Sequence, residues 1–326
     1  MCAGHEVSGP LLAKFSTNQK GRKKTFNTDM DISVYSIVLT VVVVSVVHGS
    51  RKKGVGIDLK AYKCDDLKAL DNMAWWYDWG PNFDKIESES GCNIDDRYLD
   101  PFVPMIWGYS PNWSTDIYRV DHRNEFILGF NEPNHKAQAN LSPQEAADAW
   151  HIVEYAGKNT VIVSPAAAKC GGGVDKCIEA ETIDWLDQFF GNVCAPDPGP
   201  CRVDYIATHI YTCKATKLMR LLTELYDKYK LQIWLTEFAC PYDVTVDEQL
   251  EFMQAALPLL EESDYVYRYA WYVHRKATPS SFILPSANLF ETGSSTLTRL
   301  GQWYNDYTYP DDPSPAGVCR ASRKRR

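Results

Sequence analysis

Several signals are missing from this 326-residue chain. It has no glycine-rich phosphate loop behind its first apolar run, no CxxC pair and no internal repeat. A doubly wound nucleotide-binding sheet loses its fingerprint by the first of these absences. The cysteine spacings do not match a zinc site either. Positive charge is also in deficit: 34 Lys and Arg stand against 42 Asp and Glu, a formal net charge of −8, which argues against a nucleic-acid groove. Long hydrophobic runs are nearly absent. The single exception, ISVYSIVLTVVVVSVV at Ile32–Val47, falls short of the ~20 residues needed to cross a bilayer comfortably. With small residues at Gly49 and Ser50 behind it, the run reads as the core of a signal peptide cleaved near residues 48–51. Met30 is a plausible start for it. A signal anchor beginning further upstream, or a long polar leader with ordinary cleavage, are the other readings. Secretion without stable membrane association after cleavage is the expectation.

The remainder has ordinary globular composition, 45% apolar and 23% charged, with 10 Trp and 19 Tyr. Without Cys2, nine of the ten cysteines remain, a count that suits disulfides in an oxidising compartment and leaves Cys319 as the candidate free thiol.

Past residue 53, short runs rich in β-branched and aromatic residues alternate with helical stretches. The strand candidates are Val55–Asp58, Met73–Tyr77, Phe102–Trp107, Phe126–Phe130, Val161–Ser164, Val203–His209, Gln232–Glu237 and Val266–Tyr272. They do not alternate cleanly between polar and apolar, as expected of a parallel sheet covered on both faces. Helices are expected over Pro143–Tyr155, Thr182–Phe190, Lys214–Tyr229 and Asp247–Glu262. The first has Ser142 as N-cap, Pro143 at N1 and Glu145 at N3. Eight strands with intervening helices over roughly 250 residues predict an α/β fold, a (β/α)8 TIM barrel forming a single catalytic domain at 51–308. Residues 1–50 form an N-terminal extension with the signal peptide, and the Pro/Asp-rich and basic stretch 309–326 forms a C-terminal tail.

In such a barrel, catalytic groups sit at the carboxyl ends of the strands. The fourth strand ends in Asn131 and Glu132, the sixth in His209 and Tyr211, and the seventh in Glu237. One strand-end glutamate is ordinarily a solvated loop residue or an ion-pair partner. Two of them, on strands four and seven, match what glycosidic cleavage requires. One carboxylic acid protonates the leaving oxygen and a second carboxylate attacks the oxocarbenium-like centre. Asn131 is then placed to bond the sugar 2-OH. His209 or Tyr211 would hold Glu237 ionised while Glu132 stays protonated.

These residues belong to a wider set of motifs. FILGFNEPN, QANLSPQEAADAW, the SPAA at Ser164–Ala167, VDYIATHIY and IWLTEFAC occur in order, together with FVPMIWG and YVYRYAWY. The set resembles glycoside hydrolase family 128 of clan A, over about residues 54–305. The resemblance implies Glu132 as acid/base, Glu237 as nucleophile, a β-1,3-glucan substrate and retention of configuration, with no metal and no cofactor. The alternatives from the residues themselves are a non-catalytic glucan-binding protein on the same scaffold and a clan A hydrolase of another β-linked polysaccharide.

Aromatic faces stack on pyranose rings, so Trp107, Tyr109 and Trp113 after the third strand, and Trp271 and Tyr272 closing the eighth, are candidate subsite platforms, Trp107 and Trp271 foremost. Among Trp75, Trp76 and Trp79 the sequence does not choose. The long polar loop Pro279–Ser295 could lengthen, cap or block the cleft. Asn112 and Asn140 open N-glycosylation sequons, although Pro143 behind the second favours a structural role for Asn140. Neighbouring strands six and seven would bring Cys213 to Cys240. Cys194–Cys201 and Cys64–Cys92 are the further expected disulfides.

Overall fold

The computed structural model describes residues 50–120, 123, 125–169, 181–194, 202–276 and 282–309. The apolar run Ile32–Val47, Cys201 with its expected bond to Cys194, Cys319 and the basic tail lie outside the described residues. No helix among the described residues is long and apolar enough to cross a membrane.

Seven parallel strands form one curled sheet: β1 (Lys53–Gly56), β2 (Trp75–Tyr77), β3 (Phe126–Leu128), β4 (Val161–Ala168), β5 (Tyr205–Tyr211), β6 (Ile233–Ala239) and β7 (Val266–Trp271). Their spatial order is β2-β1-β7-β6-β5-β4-β3. The helices are α1 (Asp66–Ala69), α2 (Asp84–Ser90), α3 (Pro143–Ala156), α4 (Thr182–Val193), α5 (Ala215–Tyr229), α6 (Val246–Glu262) and α7 (Arg299–Asp306). The capping box expected from Ser142 and Glu145 opens α3, and Thr245 with Glu248 builds a second one on α6.

The expected strand Phe102–Trp107 is the exception. It occupies the third barrel position and fills the gap between β2 and β3, but through isolated bridges only, Trp76↔Phe102 and Met105↔Leu128. Pro101 and Pro104 are the reason: their carbonyls accept from Trp76 (3.2 Å) and Leu128 (2.9 Å), but neither can donate, so no continuous ladder forms. The barrel thus keeps eight positions, seven of them regular strands. The fourth position is β3 and the seventh is β6.

Side chains pack the barrel interior in alternating sizes. Trp75, Phe126 and Trp234 are set against Ala166, Ala207 and Ala270. A larger layer between strands and helices holds Trp76, Trp150, Trp185, Phe238 and Trp271. Two consecutive lysines close the barrel's amino end. Lys52 donates to the carbonyls of Leu260, Glu261 and Ser263 at the end of α6, and Lys53 to those of Tyr304, Asn305 and Tyr307 at the end of α7. Ammonium groups there satisfy carbonyls that have no partner within the helix. Burial pushes the Lys53 ammonium down to about 8, against the nearby Glu261, Asp306 and Asp71 charges.

Disulfides join Cys64 to Cys92 and Cys213 to Cys240. The second ties the loop after β5 to the end of β6. Arg275 makes a bidentate pair with buried Asp66 (2.9 and 3.0 Å) and also reaches the Glu291 carbonyl, fastening the segment after β7 to the barrel.

Candidate active site

Glu237 reaches the barrel mouth because β6 carries a bulge. Against β5, Thr208 pairs with Leu235 and His209 with Glu237, so Thr236 is an extra residue. Register with β7 shifts at the same place, between Leu235 and Phe238. A bulge re-aims the side chains beyond it. Trp234 faces the barrel interior and Leu235 the helices, and the inserted Thr236 turns Glu237 back inward beside His209. The Tyr77 hydroxyl donates to the Thr236 carbonyl at 2.9 Å and holds the bulge in place.

Glu132 is set by the chain's crossing from β3 to β4. Gly129 approaches β4 so closely that a Cβ there would lie 2.9 Å from both the Ser164 carbonyl carbon and the Pro165 nitrogen, a spacing only glycine accommodates. Asn131 then bridges to Ala166, and the Glu132 N–H donates to the Ala166 carbonyl at 3.1 Å. Asn134 clasps Ala168 from both sides, donating at 2.7 Å and accepting at 3.1 Å. Between these anchors Glu132 adopts φ +40°, and Trp79 across the mouth adopts φ +62°. Left-handed backbone at a non-glycine residue costs about 1–3 kcal/mol and persists where surrounding structure dictates it, commonly at functional sites.

The two carboxyl groups share one histidine. His209 Nδ1 lies 2.8 Å from Glu132 Oε1 and 3.4 Å from Glu237 Oε2. Half-buried His135 stands 3.6 Å from the other Glu132 oxygen. Glu237 receives the Trp79 indole N–H on Oε1 at 2.8 Å and the Tyr211 hydroxyl on Oε2. One ligand atom each from Glu132, His209 and Glu237 lie within 4.8 Å of one another. Each Glu237 oxygen already accepts one hydrogen bond, from Trp79 or from Tyr211.

Electrostatics order the pair. Burial pushes Glu132 up, but the His209 hydrogen bond and the charges of His209 and His135 outweigh it, holding Glu132 below the usual carboxylate value. Glu237 lies above that value, raised first by burial and then by the Glu132 charge, against the lowering pull of His209, Tyr211 and Trp79. The imidazole itself is raised: both carboxylates more than offset its burial. In the ligand-free site, negative charge therefore favours Glu132. Of the two groups expected to hold Glu237 ionised, Tyr211 donates to it, whereas His209 Nδ1 stands closer to Glu132, at 2.8 against 3.4 Å. The imidazole stands closer to Glu132, so its proton stabilises that carboxylate first.

Around the glutamates runs a cleft of about 600 Å³, whose lining includes Trp79, Trp107, Asn131, Tyr211, Tyr272 and Phe282. Of the expected site residues, the structure brings together Glu132, Glu237, Asn131, His209, Tyr211 and Trp107. Trp271 is a correction. It is fully buried, donates its indole N–H to the Ala287 carbonyl at 2.8 Å and packs against Phe238 and Tyr304. Strand alternation sends Trp271 outward to the helices and Tyr272, one residue on, into the cleft. The same alternation settles the tryptophans of β2, Trp75 facing the interior and Trp76 the helical layer, while Trp79, two residues past the strand, reaches the site. Sequence reasoning did not single out Phe282 and Lys276, which come from the segment after β7. Phe282 meets Tyr211 edge-on at 4.8 Å, so this segment walls one side of the cleft. Asn140 adopts φ +54° in the turn before α3, a left-handed conformation that asparagine tolerates.

The Trp79 bond gives a direct test. Trp79→Phe removes one donor to the ionised form of Glu237 and keeps an aromatic ring at the position. It is expected to lower kcat by about 10- to 100-fold, as loss of a hydrogen bond to a charged group worth ~1.5–3 kcal/mol implies. Thermal melting and steady-state rates on the same preparations check it, with Tm expected to stay near that of the unmodified protein.

Two buried carboxyl groups within one aromatic-walled cleft at the mouth of a barrel define a glycosidase. Residues 54–304 match the glycosyl hydrolase catalytic core family. The chain is 31% identical to a GH128 subgroup II endo-β-1,3-glucanase from Sorangium cellulosum, with a TM-score of 0.63 over 78% of this chain and 98% of that one. A GH128 subgroup I endo-β-1,3-glucanase from Amycolatopsis mediterranei, solved with laminaritriose and laminaribiose, is 26% identical, with a TM-score of 0.60 over 79% and 99% of the two chains. Alkali-sensitive linkage protein 1 of Schizosaccharomyces pombe is 26% identical over 254 residues, 73% of this chain and 42% of the relative. The chain thus spans less than half the length of that curated relative. It belongs to the glycosyl hydrolase catalytic core family, within family 128.

Proposed function

We propose that this chain is a retaining β-1,3-glucanase in which Glu237 is the nucleophile and Glu132 the acid/base. The observation that carries retention is the closeness of the two carboxyl groups, with ligand atoms within 4.8 Å. Double displacement uses a separation of about 5–5.5 Å, whereas an inverting pair stands about 6.5–9.5 Å apart to admit a water. In the first step a Glu237 oxygen attacks the anomeric carbon, the glycosidic C–O bond breaks and the Glu132 proton passes to the departing oxygen. In the second, Glu132 takes a proton from water, the hydroxide adds to the same carbon and Glu237 is released.

The proton that Glu132 needs is already in the site. An imidazolium between two carboxylates has the same net charge as neutral His209, protonated Glu132 and ionised Glu237. One shift along the 2.8 Å contact interconverts them. His209 is buried, which disfavours the cation once a neutral sugar displaces water. Trp79 and Tyr211 meanwhile stabilise the charge left on Glu237. Buried Asn131, whose Oδ1 also has no partner among the described residues, can accept from a sugar hydroxyl.

The glucan assignment is supported by the activities named for the Sorangium and Amycolatopsis relatives and by the laminari-oligosaccharides bound in the latter. We further infer a secreted protein with its catalytic domain at 51–308, flanked by a leader at 1–50 and a tail at 309–326. The two disulfides favour an oxidising compartment. A panel of β-1,3-glucan, mannan, xylan and β-galactan, assayed for released reducing ends, is expected to show turnover of the first. Preference for another polymer would overturn the substrate. Tight oligosaccharide binding with no product would favour a non-catalytic glucan-binding protein.

A further inference from the structure

Among the described residues, the first and third barrel positions are followed by no helical element longer than four residues. After most barrel strands a helix of 7 to 17 residues covers the outside. After the third position only a four-residue 3-10 turn follows, Thr115–Tyr118. A groove of about 1490 Å³ opens there between residues 109–120, with Arg123 and Glu125, and the far end of α3, lined by none of the residues that line the catalytic cleft.

We propose that this groove is a second glucan-binding site, which holds the polymer beside the cleft. Its aromatic groups are unusually open. Trp113 is 42% exposed and Tyr155 on α3 is 82% exposed, while Tyr109 and Tyr118 stand 6.4 Å apart between them and the barrel wall. Exposed rings beside polar groups suit the C–H faces of pyranose rings. The charged lining is Asp116 and Glu125 against Arg119, Arg123 and Lys158; Asp116 pairs with Arg119 at 3.2 Å, and Arg123 with Asp96 outside the lining at 3.8 Å, which brings the two signs level. Balanced charge of this kind offers donors and acceptors to a neutral polyhydroxyl chain and gives no advantage to a polyanion.

Continuity argues for the same polymer as in the cleft. Trp107 lines the cleft and Tyr109, two residues on, lines the groove. The Trp113 ring stands 3.8 Å from the position of a Cβ on Gly108, between them. A long glucan engaging both sites gains avidity, whereas a short oligosaccharide that fills only the cleft does not. The occupant rests on the substrate proposed above, but the existence of the site does not.

The test separates the two. All proteins carry Asn112→Gln, which keeps any sequon glycan off Trp113. On a Glu237→Gln background, Trp113→Ala with Tyr155→Ala is expected to weaken binding to insoluble β-1,3-glucan about tenfold, as loss of two aromatic anchors implies. Trp113→Phe in place of Trp113→Ala should restore most of that binding. In the active enzyme, kcat/KM on a β-1,3-linked hexasaccharide should stay unchanged. Undiminished binding, or an equal loss on the hexasaccharide, would overturn the proposal. So would a loss of dimer on sedimentation without a change in glucan binding, which would assign the groove to a second copy of the chain. Should the enzyme cleave no β-1,3-glucan, the proposed function falls, and the binding comparison still decides the groove.

Discussion

Glu237→Gln is expected to abolish glucan hydrolysis, lowering kcat by at least about 10³-fold, while the protein melts where the unmodified enzyme does. The amide keeps the shape of the carboxylate. Its oxygen can still accept from the Trp79 indole, and its nitrogen can donate to the Tyr211 hydroxyl, so the cleft stays packed. What is lost is a group able to form and release a glycosyl ester. Binding of long oligosaccharides should persist, and isothermal titration on the inactive variant checks that. Substantial turnover in this variant would mean that Glu237 is not the attacking group.

Glu132→Ala should fail differently. An acid/base group contributes typically 10²–10⁴-fold, and only where the leaving group needs protonation. On glucan the variant is expected to lose activity in that range. On an aryl glycoside whose phenol departs without a proton, the first step should survive and the glycosyl-enzyme should accumulate. Added azide, which needs no general base, should then restore turnover and yield a glycosyl azide of retained β configuration. The pH profile carries a second signature. The Glu132 charge helps raise Glu237, so removing it lowers the Glu237 pKa. Activity on the aryl substrate requires ionised Glu237, so its acid limb should move to lower pH relative to the unmodified enzyme. Loss of activity on both substrates with no azide rescue would remove Glu132 from the acid/base role.

Both glutamates were legible in the sequence because each follows an apolar run at a strand end, and strand count places them at the fourth and seventh positions. The barrel was legible for a similar reason: its buried strands are short, apolar and separated by helical periods. Other features depend on register, which composition does not carry. Trp271 and Tyr272 are adjacent and chemically alike, and only the alternation of β7 sends one to the core and the other to the cleft. The bulge at Thr236, which turns Glu237 inward, has no glycine to announce it. Phe102–Trp107 was expected as a regular strand, although Pro101 and Pro104 carry the signal against it, since a residue without an N–H cannot serve an interior strand. The charge order of the site was the hardest to foresee. It follows from the burial of Glu237, from the two histidines beside Glu132 and from the difference between 2.8 and 3.4 Å at one imidazole nitrogen, none of which a spacing along the chain encodes.

The central claim is that the two carboxyl groups act in sequence on the same anomeric carbon. Proton NMR of the reaction on a β-1,3-linked oligosaccharide, recorded before mutarotation, tests it directly. Two inversions at one carbon predict that the β anomer of the newly formed reducing end appears first and the α anomer grows in later. Initial release of the α anomer would contradict the double displacement and the role of Glu237 in it.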